Sequence, residues 1–345
     1  MSLRSTSNFK TDKDFMLEAI KLASQANSDV YPNPKVGCLI VQNNKILSQS
    51  NTSKYGSHHA EKNALRSIDE HEKNLTMYVT MEPCHHYGKT PPCTDLIKYK
   101  QFDRVVIAET DPSATAGGGA EFLKENNIKV DIGICSKEAR ELNPKFYTFH
   151  EKKRPYVVLK YASSLDGYIA LKNGKSKWIT SQESRSSNHE ARSECDAILV
   201  GRKTVEMDNP NLTSHGKGKD PRIIIIDRDQ KIDRKSNIFK GVQEVITFDR
   251  KEIGEGEINN VNYILKRLYE MKIQSLLVEG GGFTITSFLK SGIFDEINAY
   301  IAPKFFGQGI PLFQDIGSLE NIHKLRLDRI KKLGNDIHIT YKRKN

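Results

Sequence analysis

Three residues in the first third of the chain have the types and spacing of a catalytic metal centre. His59 stands two residues before Glu61 in His-Ala-Glu, the apolar run MYVTMEP leads to Cys84, and Cys93 follows with eight residues between the two cysteines. One imidazole and two thiolates leave a tetrahedral zinc ion one open position for water. Zinc lowers the pKa of that water and so provides a nucleophile near neutral pH. Glu61, close to the ligand His59, is placed to move its proton. A Cys84–Cys93 disulfide, or two buried cysteines beside surface histidines, are the competing readings, and the His-x-Glu ahead of them argues against both.

Particular elements must position these groups. The pattern predicts a helix over residues 59–69 carrying His59 and Glu61, then a strand delivering Pro83-Cys84. Pro91-Pro92 open a further helix with Cys93 in its first turn, where a helix N-terminus favours a thiolate. Upstream, Thr11 and Asp14 form a candidate capping box for a helix with Phe15, Ala19, Leu22, Ala23 and Ala26 on one face. YPNP is an extended turn before a buried strand at 36–41, and residues 45–50 complete a hairpin around Asn43-Asn44. A strand at 103–108 precedes a glycine-rich turn that opens another helix, a weak signal for an anion. This order implies a three-layer α/β/α domain closing near residue 145, with KFYTFHEKKRP as the junction. The expected domains are 1–148 and 149–345. His85 and His86 are expected beside the metal site and not on the ion, and His58 is expected to be structural.

The second half alternates apolar strands with helices. Strands are expected at the start of YVVLKYASSLDG and at 197–201, 222–227, 244–248, 275–280 and 296–303, which argues a mainly parallel sheet covered on both faces. Thr180 and Glu183 could box the start of one helix. In VEGGGFTITSFL a buried strand ends in three glycines and a helix begins at once, so backbone N–H groups could approach a phosphate closely.

The 345 residues suggest two domains. Five scattered cysteines form no disulfide framework and indicate a reducing compartment. No apolar run reaches the length of a membrane span and the N-terminus lacks the apolar core of a signal peptide, so a soluble cytoplasmic protein is expected. The net charge of +10 is uneven: residues 1–150 hold 19 basic and 18 acidic side chains, and residues 151–345 hold 34 and 25. The excess lies in short scattered groups, which fits a solvated face or phosphorylated small ligands better than a nucleic-acid stripe.

His-Ala-Glu followed by Pro-Cys and a second cysteine resembles the zinc nucleobase deaminases, whose Glu is acid/base and not a ligand. Their usual cysteine spacing is two. The eight-residue HHYGKTPP loop, with Gly88 to Pro92, instead resembles the deaminase half of the bifunctional riboflavin-biosynthesis deaminase/reductases. In the second half LKYASSLDG, KWITS, GRKTVEMDNPNLT, VEGGGFTITSFL and IAPKFFGQG resemble, in order, the reductase half of that family. The resemblance implies a cytidine-deaminase-like domain followed by a dihydrofolate-reductase-like α/β domain, with zinc on His59, Cys84 and Cys93 and NADPH as reductant. It implies Asn33, His86 and Lys89 at the deaminase substrate. Ala162, Trp178, Thr204, Asp208, Gly281 and Gly282 are implied at NADPH, and Ser176, Arg192, Leu212 and Glu279 at the reductase substrate. Lys160 and Asp208 are the expected pair for the sugar and its proton, since hydride arriving at the sugar C1 needs a proton at the opening ring oxygen.

The implied activity removes the 2-amino group of 2,5-diamino-6-ribosylamino-4(3H)-pyrimidinone 5′-phosphate and then reduces the ribosyl group to ribityl. His215 departs from the family's usual phosphate-binding Arg; Lys217, Lys219 or Arg222 are candidates to replace it. The DPSATAGGG loop is also one residue short, with Ser113-Ala114 in place of Asn-Pro. Two other readings compete: an RNA-editing deaminase with a basic second domain, and a deaminase whose second half binds or assembles without catalysing. Self-association into a homo-oligomer is expected from sheet-edge pairing in such domains.

Overall fold

The computed structural model describes residues 11–88, 91–254, 257–313 and 323–344. Lys89 falls outside them, as does the N-terminal decapeptide. The chain forms two compact units, Met1–Lys152 and Lys153–Asn345. The expected boundary at 148/149 lies inside the last helix of the first unit, because Tyr147, Thr148 and Phe149 are buried and continue that helix to Lys152.

The first unit contains α1 (Asp12–Ser24), β1 (Gly37–Gln42), β2 (Lys45–Asn51), α2 (Ala60–Leu65), β3 (Thr76–Val79), α3 (Cys93–Lys100), β4 (Arg104–Ile107), α4 (Gly119–Glu125), β5 (Lys129–Ile132), α5 (Ser136–Leu142) and α6 (Pro144–Lys152). Its sheet has the order β2-β1-β3-β4-β5. The β1/β2 and β1/β3 pairs are antiparallel; β3/β4 and β4/β5 are parallel. Period-two alternation builds the three layers. Cys38, Ile40, Met77, Val79, Val105 and Ile107 face Ala60, Ala64, Ile97, Ala120 and Leu123 of α2, α3 and α4. Leu39, Val41, Tyr78 and Val106 face Phe15, Met16, Ala19 and Ala139 of α1 and α5. The expected box at α1 is present: Asp14 N–H donates to Thr11 Oγ1 at 3.3 Å and Thr11 N–H to Asp14 Oδ2 at 3.0 Å. Asn43 and Asn44 both take positive φ (47° and 59°), closing the β1/β2 hairpin. The metal-site helix is shorter than 59–69, since α2 ends at Leu65 with His59 as its N-cap residue.

The second unit contains β6 (Tyr156–Ser164), β7 (Tyr168–Ala170), α7 (Gln182–Ser193), β8 (Ala197–Gly201), α8 (Arg202–Asp208), β9 (Arg222–Ile226), β10 (Val245–Phe248), α9 (Arg250–Ile253), α10 (Glu257–Glu270), β11 (Ser275–Val278), α11 (Gly282–Ser291), β12 (Glu296–Ala302), β13 (Ile310–Pro311), β14 (Leu325–Leu333) and β15 (Asp336–Arg343). The main sheet has the order β10-β9-β8-β11-β6-β12-β15-β14. Its strands from β10 to β12 are parallel, and the β15/β14 hairpin is added antiparallel. Leu159, Leu199, Ile224, Leu276 and Val278 face α9, α10 and α11. Val158, Ile198, Val200, Ile223 and Ile225 face Val205 of α8 and Leu212 and Ile238 of the loops. The start of α7 is one residue later than the Thr180 box implies: Ser181 is the cap and accepts from Ser184 N–H at 3.2 Å. Asp336 selects that register by accepting from Ser181 N–H and Ser184 Oγ, both at 2.6 Å.

Candidate active sites

In the first unit the sequence places His59, Cys84 and Cys93 on three different elements. His59 caps α2, Cys84 follows β3, and Cys93 is the first residue of α3. Their ligand atoms converge within 4.8 Å of one another. His59 Nδ1 lies 3.5 Å from each sulfur. A tetrahedral zinc ion with Zn–S of about 2.3 Å and Zn–N of about 2.0–2.1 Å requires an S···N separation of about 3.6 Å, so the donor set fits zinc and no disulfide joins the cysteines.

The electrostatics agree with a cation site. The Cys84 thiol is pulled down to about 4 by hydrogen bonding with Cys93 and then with His59. His59 is raised to about 9, first by Cys84, so a proton occupies the place of positive charge between the donors. Sequence reasoning put the favoured thiolate at Cys93; the structure puts it at Cys84. The reason is direction: the first N–H of α3, on Cys93, points at Cys84 Sγ (3.4 Å), so the helix N-terminus stabilises the neighbour's charge while burial and Cys84 push Cys93 up. Glu61 is 4% exposed and its carboxyl is pushed up by burial against the pull of His59.

A second carboxylate holds the frame. Glu82 is buried and accepts from Asp111 N–H (3.0 Å) and Ala120 N–H (2.8 Å), tying the glycine-rich loop and α4 to the strand that delivers Cys84. Gly119 permits that approach, because a Cβ there would lie 1.9 Å from the Pro83 carbonyl oxygen. The loop is thus a brace for Pro83-Cys84. Burial pushes Asp111, on the same loop, up to about 6. His86 lies within electrostatic reach of Asp111 and its Nδ1 is buried without a hydrogen-bond partner. His85 is turned to structure, with Nδ1 3.1 Å from Thr94 Oγ1 and its ring stacked on Phe122. Asn33 is half-buried in the turn before β1, where its N–H donates to Val30 O at 3.0 Å.

In the second unit one cavity of about 1030 Å³ gathers the reductase residues. Lys160, Ala162, Ser176, Trp178, Arg192 and Thr204 line it, as do Asp208, Leu212, Glu279, Gly281 and Gly282. Its volume is at the upper end for ligand pockets, which suits a dinucleotide together with a substrate. The parallel register sets its charged floor: Val278 pairs with Leu159, so Glu279 and Lys160 meet at the carboxyl ends of adjacent strands. Lys160 Nζ donates to Glu279 Oε1 at 2.9 Å, Arg192 donates to both oxygens at 2.9 and 3.0 Å, and Asn188 Nδ2 donates at 2.7 Å. Burial would raise the Glu279 carboxyl, but Arg192 and Lys160 hold it well below the usual carboxylate range.

Lys160 and Asp208 share the cavity with different partners, since Asp208 Oδ1 accepts from Ser176 Oγ at 3.3 Å. At the triple glycine a Cβ on Gly280 would meet Thr284 at 2.7 Å and one on Gly282 the Leu312 carbonyl oxygen at 2.5 Å, whereas Gly281 has nothing nearer than 3.9 Å. The protein itself therefore requires the outer two glycines and leaves Gly281 open at the N-terminus of α11. The SSLDG and FFGQG motifs fasten each other, with Asp166 accepting from Phe306 and Gly307 N–H at 3.1 and 2.7 Å.

Asn188 and His189 escaped the sequence reading although both line the cavity. Their signal was helical spacing, four and three residues before Arg192 on α7. The proposed substitutes for an Arg at 215 do not serve: Lys217 faces Glu190 (3.5 Å) and Arg222 faces Glu244 (3.2 Å). Among the described residues neither they nor Lys219 line the cavity, which His215 does.

Known proteins resemble the chain over both units. Residues 155–339 match the family described as RibD C-terminal domain, and residues 9–109 the cytidine and deoxycytidylate deaminase zinc-binding region. Riboflavin biosynthesis protein RibD of Aquifex aeolicus is 41% identical, the match covering 96% of this chain and 98% of that one. The Escherichia coli K12 protein of that name is 32% identical, over 94% and 98%. Among solved structures, Acinetobacter baumannii RibD superposes with TM-score 0.85 at 31% identity, covering 97% of this chain and 99% of that one. A Thermotoga maritima protein described as a diaminohydroxyphosphoribosylaminopyrimidine deaminase/5-amino-6-(5-phosphoribosylamino)uracil reductase superposes with TM-score 0.82 at 35% identity, covering 96% and 98%.

Proposed function

The chain belongs to the RibD family of bifunctional deaminase/reductases of riboflavin biosynthesis, and on that premise we propose how its own residues divide the two reactions. The first unit deaminates diaminohydroxyphosphoribosylaminopyrimidine phosphate. The second reduces 5-amino-6-(5-phosphoribosylamino)uracil with NADPH. The observation that carries this reading is the convergence of His59, Cys84 and Cys93 beside buried Glu61.

His59 Nδ1 and the two sulfurs hold zinc, which when bound supplies the Lewis acidity that makes water a nucleophile near neutral pH. Glu61 takes a proton from the attacking water and returns it to the departing amino nitrogen; the C–N bond breaks and ammonia leaves. His86 and Asn33 contact the pyrimidine, and Lys89 the substrate's phosphate. In the second unit NADPH supplies hydride to the sugar C1, its diphosphate at Gly281-Gly282 and its rings along Ala162, Trp178 and Thr204. Lys160, fixed by Glu279, donates the proton to the opening ring oxygen. Asp208 and Ser176 hold sugar hydroxyls, with Arg192 and Leu212 flanking the substrate.

No helix among the described residues is long and apolar enough to cross a membrane. A cytoplasmic location and pairing of two copies belong to the same reading. β14, the sheet's edge strand, exposes Leu327 and Ile330 and is the edge through which copies would pair. Sedimentation of the purified protein tests that.

The decisive assay supplies the already deaminated 5-amino-6-(5-phosphoribosylamino)uracil and follows NADPH oxidation, bypassing the zinc centre. Wild type oxidises NADPH saturably, and Lys160→Met loses at least about a hundredfold in kcat while ammonia release from the diamino substrate continues. Equal loss of both activities in Lys160→Met would refute its assignment to the reductase step.

A further inference from the structure

Two imidazoles lie face to face in the wall of the second unit's cavity. His189 on α7 and His215 in the loop before β9 stack with ring centroids 4.0 Å apart and planes 20° from parallel, and both line the cavity. Arg192, on the next residue of the same α7 face, lines that wall too, its guanidinium on Glu279 and the Thr213 carbonyl oxygen (3.0 Å).

The charges around the stack are already matched. Glu279 is shared by Lys160 and Arg192. Glu190, beside His189, faces Lys217, and Asp220 is engaged by Ser214 N–H and Oγ at 2.7 Å. Burial, then His215 and Arg192, push His189 down to about 4, with Glu279 opposing and Lys160 reinforcing them. The ligand-free stack is therefore neutral near pH 7. Two neutral imidazoles offer a dianion only weak hydrogen bonds, whereas one proton between them turns the pair into a charge-assisted donor.

We propose that the His189–His215 stack reads the phosphate of the reductase substrate and takes up one proton when a dianionic sugar phosphate binds. The inference rests on the reductase reading above for the ligand and adds His189 and proton coupling to it. The proton comes from solvent and leaves with the ligand, so affinity must fall as pH rises above neutrality. A sugar phosphate has a second pKa of about 6 and is a dianion at pH 7.5, so uptake at that pH belongs to the protein.

The test is calorimetric titration of ribose 5-phosphate into the full-length protein at pH 7.5, in two buffers of different ionisation enthalpy, repeated at pH 8.5. Wild type is expected to take up roughly half to one proton, and to bind about five- to tenfold more weakly at the higher pH. His215→Arg, a change in an exposed loop, should bind with no uptake and little pH dependence. His189→Gln combined with His215→Gln should bind at least about tenfold more weakly at pH 7.5, without uptake. Binding by wild type without uptake, no binding at all, or a double variant with unchanged affinity and uptake would each overturn the proposal. NADPH oxidation by the same preparations reports separately on the reductase reading, so loss of one result is not mistaken for loss of the other.

Discussion

Glu61 and Glu279 are both buried carboxylates, and their neighbours give them opposite tasks. Glu61 has burial pushing its carboxyl up and a single imidazole pulling it down, the setting of a group that exchanges protons. Glu61→Gln keeps the shape and removes that capacity. We expect ammonia release to fall by at least about two orders of magnitude while zinc measured by atomic absorption stays at one ion per chain; undiminished turnover would remove Glu61 from the mechanism. Glu279 instead accepts four hydrogen bonds from three residues, which leaves it an anchor for Lys160 and Arg192. Its folded pKa is depressed, so its stabilising contribution is complete above the unfolded value of about 4.3 and is lost as pH falls below it. Glu279→Gln leaves two buried cations without their anion and should cost the second unit about 3 kcal/mol at pH 7. Urea unfolding followed by the single tryptophan, Trp178, reads that unit. The gap from wild type should narrow toward pH 3, and a gap that widens there would contradict the anchoring role.

At the scale of elements, what was legible in the sequence followed burial. The alternation of RVVI and RIIII and the capping pair Thr11/Asp14 predicted strands and a helix that the structure contains, because one face or one helix end decided each. The hairpin β14/β15 was missed since LRLDRIKKL is exposed along nearly its whole length and carries no period to read. The slip at α7 has another cause, a cap chosen by Asp336 some 150 residues away in the chain. The same distance hid the stack of His189 on His215. His338 on β15 shows how far such partners shape stability: it is 6% exposed, donates Nε2–H to Asn298 Oδ1 at 2.9 Å and stacks on Tyr300. Burial lowers it to about 4. A histidine depressed on folding contributes fully above its unfolded pKa of about 6.5 and loses that contribution as pH falls toward 4. Between pH 7.5 and 5 wild type should therefore lose about 2 kcal/mol more than His338→Gln, and parallel losses in the two proteins would show that His338 does not titrate this way. In the first unit Gly119→Ala would drive a methyl into the Pro83 carbonyl, and we expect about 2 kcal/mol of destabilisation with weaker zinc retention on dialysis.

Across the whole molecule the two chemistries stand on separate unit cores and draw on unlike resources. The metal donors, Glu61 and the Glu82 brace all lie within Met1–Lys152, and every residue of the cavity lies within Lys153–Asn345. The excess of basic side chains also lies in the second half, where it is met by scattered ion pairs such as Arg222–Glu244 and Arg267–Glu270 and not by a continuous stripe. That distribution suits a small phosphorylated ligand in a cavity better than a polynucleotide. The division can be tested by removing the metal. Without zinc the buried triad retains a proton on His59 and the charge of Cys84, so the site keeps its charge balance and the first unit should stay folded with a lower melting temperature. Dialysis against a chelator is expected to abolish ammonia release and to leave NADPH oxidation on the deaminated substrate within about twofold of its starting rate. Readdition of zinc should restore the first activity alone. If chelation silenced the reductase as well, the second unit would depend on the metal through a coupling that no residue lining its cavity supplies, and the assignment of independent sites would fall.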